Sequence, residues 1–258
     1  AARTVLAQIF RMAVDLEMMD RNPLEKVKAA KVESGKRHRI LSPDDAMRLL
    51  QDVEGSALAA PVFLASVLGL RRGEVCGLKW ENITQDGFVK VIEQRQVVYR
   101  EKGKREILGS LPKRGKVRAF YIPAPMLTEI QRRGDPDSGY VCTHRGRPWT
   151  PDTLTYVWKE FAAAYALDRD HPLKDWTFHD LRHLAVGLLR RMGADYAIIQ
   201  AICGHSTAAQ TLEYMSVDKR ETTESLGRLA VALGMIPVDT SPPSMPNSIP
   251  SGGFEPEI

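Results

Sequence analysis

The chain of 258 residues is poor in cysteine and has no long apolar run. Its three cysteines, Cys76, Cys142 and Cys203, are scattered, so they predict neither a disulfide framework nor a paired-cysteine metal site. No apolar stretch is long enough for a membrane-spanning helix, and no charged segment followed by an apolar one opens the chain as a secretory leader does. We therefore expect a protein of a reducing cytoplasm with no membrane partner.

The chain as a whole also lacks a strong excess of positive or negative charge, but its basic residues are concentrated in one part. The formal net charge is +4, and residues 234–258 hold three acidic and no basic residues, so residues 1–233 carry about +7. Between Arg100 and Arg118, eight basic residues accompany two acidic ones. This density suits contact with a phosphate backbone, although charge alone more often marks a solvated hairpin.

Three parts of the chain differ in composition. Residues 4–20 place apolar side chains on one helical stripe, which a single helix cannot bury alone. Residues 1–39 are therefore interpreted as the last helix of a truncated preceding domain and a basic linker. Residues 40–233 are predicted to form the main domain. Residues 234–258 are predicted to be a tail without regular structure, because six prolines follow from residue 237 onward.

The main domain is predicted to be α+β and mainly helical, with a small antiparallel β-sheet. Ser42-Pro43 indicates a helix start, and Thr177 with Asp180 matches a capping box. Asp86-Gly87 indicates a turn, and β-forming residues follow it. Strands are predicted within 88–99 and 118–122. Further helices are predicted at 57–68, 72–78, 126–133, 196–202, 208–215 and 219–233, and from Thr150-Pro151 onward.

The helix predicted to begin at Thr177 has two chemically different faces. Its leucines point to one side, while His179, Arg182 and His183 point to the other, since successive helical residues are about 100° apart. The N-terminus of a helix attracts anions through its free N–H groups. An arginine there can also grip two phosphate oxygens. This end of the helix therefore predicts a phosphate site.

Other segments carry residues suited to the same chemistry. Arg71 follows a predicted buried helix, and Glu74 is placed to orient its guanidinium. His205 follows a helix-ending glycine, and Tyr214 lies nearby along the chain. A lone arginine or histidine is most often a surface residue, and a lone tyrosine most often packs, so only the combination points to a function.

In this order and spacing, the segments GLRRGEV (69–75), HDLRH (179–183), GHS (204–206) and TLEY (211–214) resemble the motifs of tyrosine recombinases, the phage-integrase-type site-specific recombinases. The resemblance covers about residues 40–233 and implies the family's catalytic domain. Residues 4–20 resemble the last helix of its core-binding domain.

The resemblance implies a role for each matching residue. Tyr214 is the expected nucleophile, which forms a 3′-phosphotyrosyl bond and releases a 5′-hydroxyl. Arg71, Arg182 and His205 are expected to hold the phosphate oxygens, with Glu74 in support. His179 is expected to exchange a proton with Tyr214, because a phenol with a pKa of about 10 needs help to attack at neutral pH.

A lysine of the basic loop is expected to protonate the departing 5′-oxygen. Lys113 fits the family's pattern at the start of a turn, and Lys116 is the alternative. Lys116 and Arg118 are otherwise expected to bind DNA. No metal or cofactor is expected. No ATP is expected either, because the covalent bond stores the energy of the phosphodiester.

The resemblance also implies the partners and the setting. We expect double-stranded DNA with attachment or recombination sites, a homotetramer on that DNA, and accessory DNA-bending proteins. The expected function is recombination or integration for a phage or other mobile element, in the cytoplasm of a bacterial cell and associated with the nucleoid.

Three alternatives remain at this point. His179, His183 and His205 could bind zinc in a hydrolase, although Arg182 would repel the metal ion. A type IB topoisomerase would use similar residues but relax supercoils. A silent DNA-binding relative would lack catalytic residue types, all of which this chain has.

Overall fold

The structure is a computed structural model that describes residues 2–27, 41–99, 105–111, 117–169, 172–204 and 219–236. It divides into two compact units, one within residues 1–38 and the other within residues 39–258. None of the helices in these ranges is long and apolar enough to span a membrane. The identity assigned to the parts 1–39, 40–233 and 234–258 stays a prediction.

The first unit contains helix α1, Ala2–Asp15. The sequence predicts a helical stripe over residues 4–20, so the end of α1 was predicted too late. The backbone of Glu17 has a φ of 57°, and the N–H of Met18 donates to the carbonyl of Ala13 at 2.9 Å. This left-handed cap is usually made by glycine, which is why the sequence did not signal it.

The predicted apolar stripe of α1 is largely exposed to solvent. Leu6 is 45% exposed, Ile9 54% and Leu16 59%. The segment after the helix folds back along it, since Arg3 donates to the carbonyl of Val27 at 2.8 Å. The stripe is therefore not covered within its own unit.

The second unit begins with helices α2 (Pro43–Asp52), α3 (Ala59–Ser66) and α4 (Arg72–Gly77). The start of α2 is confirmed, because the Ser42 hydroxyl accepts from the N–H of Asp45 at 3.1 Å. All eight residues of α3 are buried, so this helix lies inside the core.

Four strands follow: β1 (Phe88–Val91), β2 (Gln94–Tyr99), β3 (Arg105–Ser110) and β4 (Arg118–Tyr121). They form two antiparallel pairs, β1 with β4 and β2 with β3. The single sheet of the sequence prediction is thus divided. The chain leaves the first ladder after Val91, and the next strand turns to a different partner.

A third antiparallel pair, β5 (Thr143–His144) with β6 (Arg147–Pro148), was not predicted from the sequence. Its turn holds Arg145 at a φ of 53° and Gly146 at 69°. Two-residue hairpin turns of this kind usually have Asn, Asp or Gly before the glycine. Arginine is uncommon there, so the sequence indicates this turn only weakly.

The remaining helices are α5 (Ala124–Arg133), α6 (Pro151–Arg169), α7 (Phe178–Arg191), α8 (Tyr196–Cys203) and α9 (Lys219–Ala232). Short 3₁₀ turns occur at Trp80–Asn82 and Pro172–Asp175. The helix predicted at 208–215 and most of the predicted tail lie outside the described residues.

One hydrophobic core joins these elements. Helix α3 packs against α7, and α8 packs against α7, α9 and β4. The buried side chains of α6 include Leu154 and Trp158. The mainly helical α+β class with small antiparallel strand pairs is confirmed.

Candidate active site

Arg71 lies at the start of α4, directly after the turn that ends the buried α3 region. Gly69 makes this turn with a φ of 64°, and the N–H of Leu70 donates to the carbonyl of Leu64 at 3.1 Å. A Cβ at Gly69 would lie 2.5 Å from the Cys203 sulfur, so the close approach requires glycine. The Arg71 side chain is 29% exposed and is thus open to a ligand.

Glu74 is the buried centre of an ion-pair cluster. Its Oε1 accepts from Arg71 Nη1 at 2.8 Å, and its Oε2 accepts from the backbone N–H of Arg71 at 2.8 Å. The side chain has no exposed surface. Burial raises the pKa of a carboxyl, but the charges of Arg118 and Arg71 outweigh burial and lower the pKa of Glu74 to about 2. Glu74 therefore stays ionised at neutral pH.

Arg118, the first residue of β4, completes this cluster. Its Nη1 and Nη2 donate to the two oxygens of Glu74 at 2.9 and 2.8 Å, and its Nε donates to the carbonyl of Ile202 at 2.8 Å. The side chain is only 9% exposed. This geometry favours a supporting role over the DNA contact that the charge pattern predicted.

Arg182 on α7 is almost completely buried, with an exposed fraction of 1%. Its Nη1 donates to the carbonyl of Gly69, while its Nη2 has no hydrogen-bond partner among the described residues. Burial and the charge of Arg71 lower the pKa of Arg182 to about 10, so it stays protonated at neutral pH. The sequence places Arg182 on the polar face of α7, but the turn at Gly69 covers that part of the face.

His179 and His183 lie on the exposed side of α7, with ring centroids 5.0 Å apart. The helix begins as predicted, because Asp180 accepts from the backbone N–H of Thr177 at 2.7 Å. Partial burial and the neighbouring charges of His183 and Arg182 lower the pKa of His179 below its ordinary value of 6.5. His179 is thus neutral at pH 7 and able to accept a proton.

The end of α8 is attached to the same cluster. Gly204 closes this helix with a φ of 69°, and its carbonyl accepts from Arg71 Nη2 at 2.5 Å. His205 follows directly in the sequence but lies outside the described residues, as do Tyr214, Lys113 and Lys116. The structure therefore brings together Arg71, Glu74 and Arg182. The role of every predicted site residue stays a prediction.

The charge of the described site suits an anion. Arg71 and Arg118 both act electrostatically on Arg182, and Glu74 is the carboxylate that pairs with Arg71 and Arg118. Three guanidinium groups and one carboxylate leave a net excess of two positive charges. The described residues contain no group of three His, Cys, Asp or Glu that could hold a metal ion.

The chain is similar in sequence to known proteins. The profile of the phage integrase family matches residues 39–221. Tyrosine recombinase XerA of Pyrococcus furiosus is 30% identical over 174 residues, which are 65% of this chain and 52% of that protein. The integrase of Enterobacteria phage 434 is 26% identical over 223 residues, which are 85% of this chain and 58% of that protein. The chain thus spans little more than half the length of these relatives.

A similar fold occurs among solved structures. The integrase of transposon Tn1549, in complex with a circular intermediate DNA, aligns with a TM-score of 0.63 at 21% identity. The alignment covers 82% of this chain and 72% of that chain.

Proposed function

Because the chain belongs to the phage integrase family, we propose that it is a site-specific DNA recombinase or integrase of a phage or other mobile element. It breaks and rejoins DNA through a 3′-phosphotyrosyl intermediate. Relatives named as integrases and recombinases of phage and other origins support this proposal.

The observation that carries the proposal is the buried guanidinium nitrogen Nη2 of Arg182, which has no hydrogen-bond partner among the described residues. A buried donor without a partner costs free energy, of about 1–3 kcal/mol and more for a charged group. Arg182 Nη2 is such a donor, and the charge of Arg71 lies close enough to lower its pKa. An anionic oxygen held between the two guanidinium groups would satisfy the donor and offset both charges.

A DNA phosphate in the course of strand cleavage is an anion of this kind. A phosphodiester carries one negative charge, and charge grows on its non-bridging oxygens as a fifth ligand approaches the phosphorus. The net excess of two positive charges in the described site stabilises that increase, so the site favours the transition state over the ground state. His205 is proposed as a third donor to these oxygens.

The proposed nucleophile is the hydroxyl of Tyr214. Its oxygen bonds to the phosphorus, its proton passes to His179, and the bond from phosphorus to the 5′-oxygen breaks. The lowered pKa of His179 keeps the imidazole neutral and ready for this proton.

The proton that the 5′-oxygen needs is proposed to come from Lys113, with Lys116 as the alternative. Rejoining reverses these steps with a different 5′-hydroxyl, so neither ATP nor a cofactor is consumed.

The setting of the reaction is proposed from the same resemblance. Double-stranded DNA with attachment or recombination sites is the partner, four copies of the chain assemble on it, and accessory DNA-bending proteins assist. Residues 1–39 would belong to a core-binding domain and residues 40–233 would be the catalytic domain. The proposed location is the bacterial cytoplasm, in association with the nucleoid.

Covalent capture tests the proposal. The full-length protein is incubated with nicked suicide duplexes tiled across the DNA around its coding sequence, which lose a short 5′-hydroxyl fragment on cleavage. Wild type should give a DNA adduct on denaturing gels, and Tyr214→Phe should give none. An adduct of equal yield from Tyr214→Phe would refute the nucleophile.

A further inference from the structure

We infer that Arg118 is a positioning residue. From a buried location behind the DNA phosphate, it aligns Arg71 and the backbone of residues 202–204, which leads to His205. This inference rests on the proposed function, but it concerns a residue that the sequence places among the DNA contacts. The contacts of its guanidinium carry the inference.

The first contact fixes Arg71 through a shared carboxylate. Glu74 Oε1 accepts from Arg71 and Arg118 together, at 2.8 and 2.9 Å. Its Oε2 accepts from the Arg71 backbone and from Arg118, both at 2.8 Å. Because Arg118 approaches with both terminal nitrogens, it fixes the plane of the carboxylate and hence the place from which Arg71 is held.

The second contact fixes the end of α8. Arg118 Nε donates to the carbonyl of Ile202, two residues before Gly204. A Cβ at Gly204 would lie 2.9 Å from Arg118 Cδ, so the backbone passes directly over the arginine stem. The carbonyl of Gly204 is itself held by Arg71. The backbone that leads into His205 is thus attached at two points to one cluster.

The electrostatic effect of Arg118 adds to this alignment. Without it, the buried charge of Glu74 would be offset by Arg71 alone, and the net excess of two positive charges would fall to one. The charge that grows on the phosphate oxygens during cleavage would then be stabilised less, so loss of Arg118 should lower the cleavage rate more than the affinity for DNA.

A direct DNA contact and a positioning role differ in what they change. Loss of a phosphate contact weakens DNA binding and lowers the slope of log K against log salt by about one. Loss of a positioning contact leaves that slope unchanged and slows cleavage even when all protein is bound, because misplacement of reacting groups by about 1 Å costs roughly 100-fold.

The test compares Arg118→Met and Arg118→Lys with wild type on the suicide duplex that wild type cleaves. We expect both to bind DNA with the wild-type salt slope and to cleave roughly 100-fold more slowly at saturating DNA. Lysine should restore little of the rate, because it lacks the two-pronged contact with Glu74. Arg132→Met is the matched control, since Arg132 also pairs with glutamates, Glu54 and Glu129, but on elements outside the site.

The outcomes separate the two roles. A lower salt slope with a wild-type cleavage rate at saturation would make Arg118 a DNA contact and overturn the inference. A wild-type rate in Arg118→Lys would also overturn it, because charge alone would then suffice. If Arg118→Met does not fold, as judged by thermal unfolding, Arg118→Lys decides alone. Failure of wild type to form any adduct would instead refute the proposed function.

Discussion

The guanidinium of Arg71 donates a hydrogen bond to the carbonyl oxygen of Gly204, which lies 133 residues further along the chain. Arg71 Nη2 is thereby joined to the residue that ends α8, while Arg71 Nη1 donates to Glu74 Oε1 at 2.8 Å. The predicted phosphate-binding arginine and the residue before His205 are thus joined by a direct hydrogen bond. Disturbing this junction should impair catalysis more than it impairs folding.

Replacement of Gly204 by alanine tests the junction. Gly204 has a φ of 69°, and its new Cβ would press on the side chain of Arg118 at 2.9 Å. Gly193→Ala is the matched control, because Gly193 has a φ of 78° and no heavy atom within 4 Å of its Cβ position. Both variants should lose about 1–2 kcal/mol of stability from the left-handed backbone.

Both variants share this loss of stability, but only Gly204→Ala should also cleave DNA more slowly, by roughly 10- to 100-fold in single-turnover reactions. Equal cleavage rates in the two variants, measured at the same folded fraction, would show that the contact with Arg118 has no part in the reaction.

Replacement of Glu74 by glutamine should make stability less dependent on pH. The pKa of Glu74 is about 2 in the folded chain against 4.5 ordinarily, so its ionised form stabilises the fold at pH values above 4.5 and this contribution is lost as pH falls toward 2. The difference corresponds to about 3 kcal/mol.

Urea unfolding followed by tryptophan fluorescence measures the effect. Glu74→Gln should be less stable than wild type by about 3 kcal/mol at pH 7, and the gap should narrow as pH falls below 4.5. If the difference in stability between wild type and Glu74→Gln stays constant from about pH 7 to about pH 3.5, a range that spans the ordinary pKa of glutamate, the assigned ionisation is wrong.

The local part of the site could be read from the sequence, because its signals lie within a few residues. The capping pair Thr177 and Asp180 starts α7 where predicted. Glu74 lies three residues beyond Arg71 and holds it as expected. Such short-range chemistry depends on helix geometry alone.

The rest depended on contacts between distant segments. Arg118 and Glu74 are 44 residues apart, and nothing near Arg118 distinguishes it from the other basic residues of its loop. The burial of Arg182 follows from the turn at Gly69, which is 113 residues away. Pairing of this kind is set by tertiary packing, so composition and periodicity could indicate a basic surface but not which arginine faces inward.

The pH dependence of cleavage should respond to His183. The positive charge of His183 contributes to the lowered pKa of His179, after the larger effect of burial. In His183→Gln the pKa of His179 should rise toward 6.5, so His179 becomes protonated at a higher pH. On acidification, the cleavage rate of this variant should therefore begin to fall at a higher pH than that of wild type. In His183→Arg a permanent charge should keep the fall at low pH.

Single-turnover rates across the acidic range distinguish these variants. The two rings are 5.0 Å apart, so a change in one should act directly on the other. If the cleavage rate falls at the same acidic pH in wild type and in both variants, His183 has no influence on the proton transfer.

The two candidate lysines can be separated with a 5′-thio leaving group, which departs without a proton. Lys113→Ala should cleave ordinary DNA slowly and recover on the thio substrate. Lys116→Ala should show weaker DNA binding and no such recovery. Recovery of Lys116→Ala alone would transfer the role of general acid to Lys116.

In the proposed reaction, Tyr214 becomes covalently joined to a 3′-phosphate of DNA. The most direct measurement is protease and nuclease digestion of the wild-type adduct, followed by mass spectrometry of the nucleotide-bearing peptide. The proposed function predicts a nucleotide attached through its 3′-phosphate to Tyr214. A nucleotide attached to any other residue, or joined through a 5′-phosphate, would contradict it.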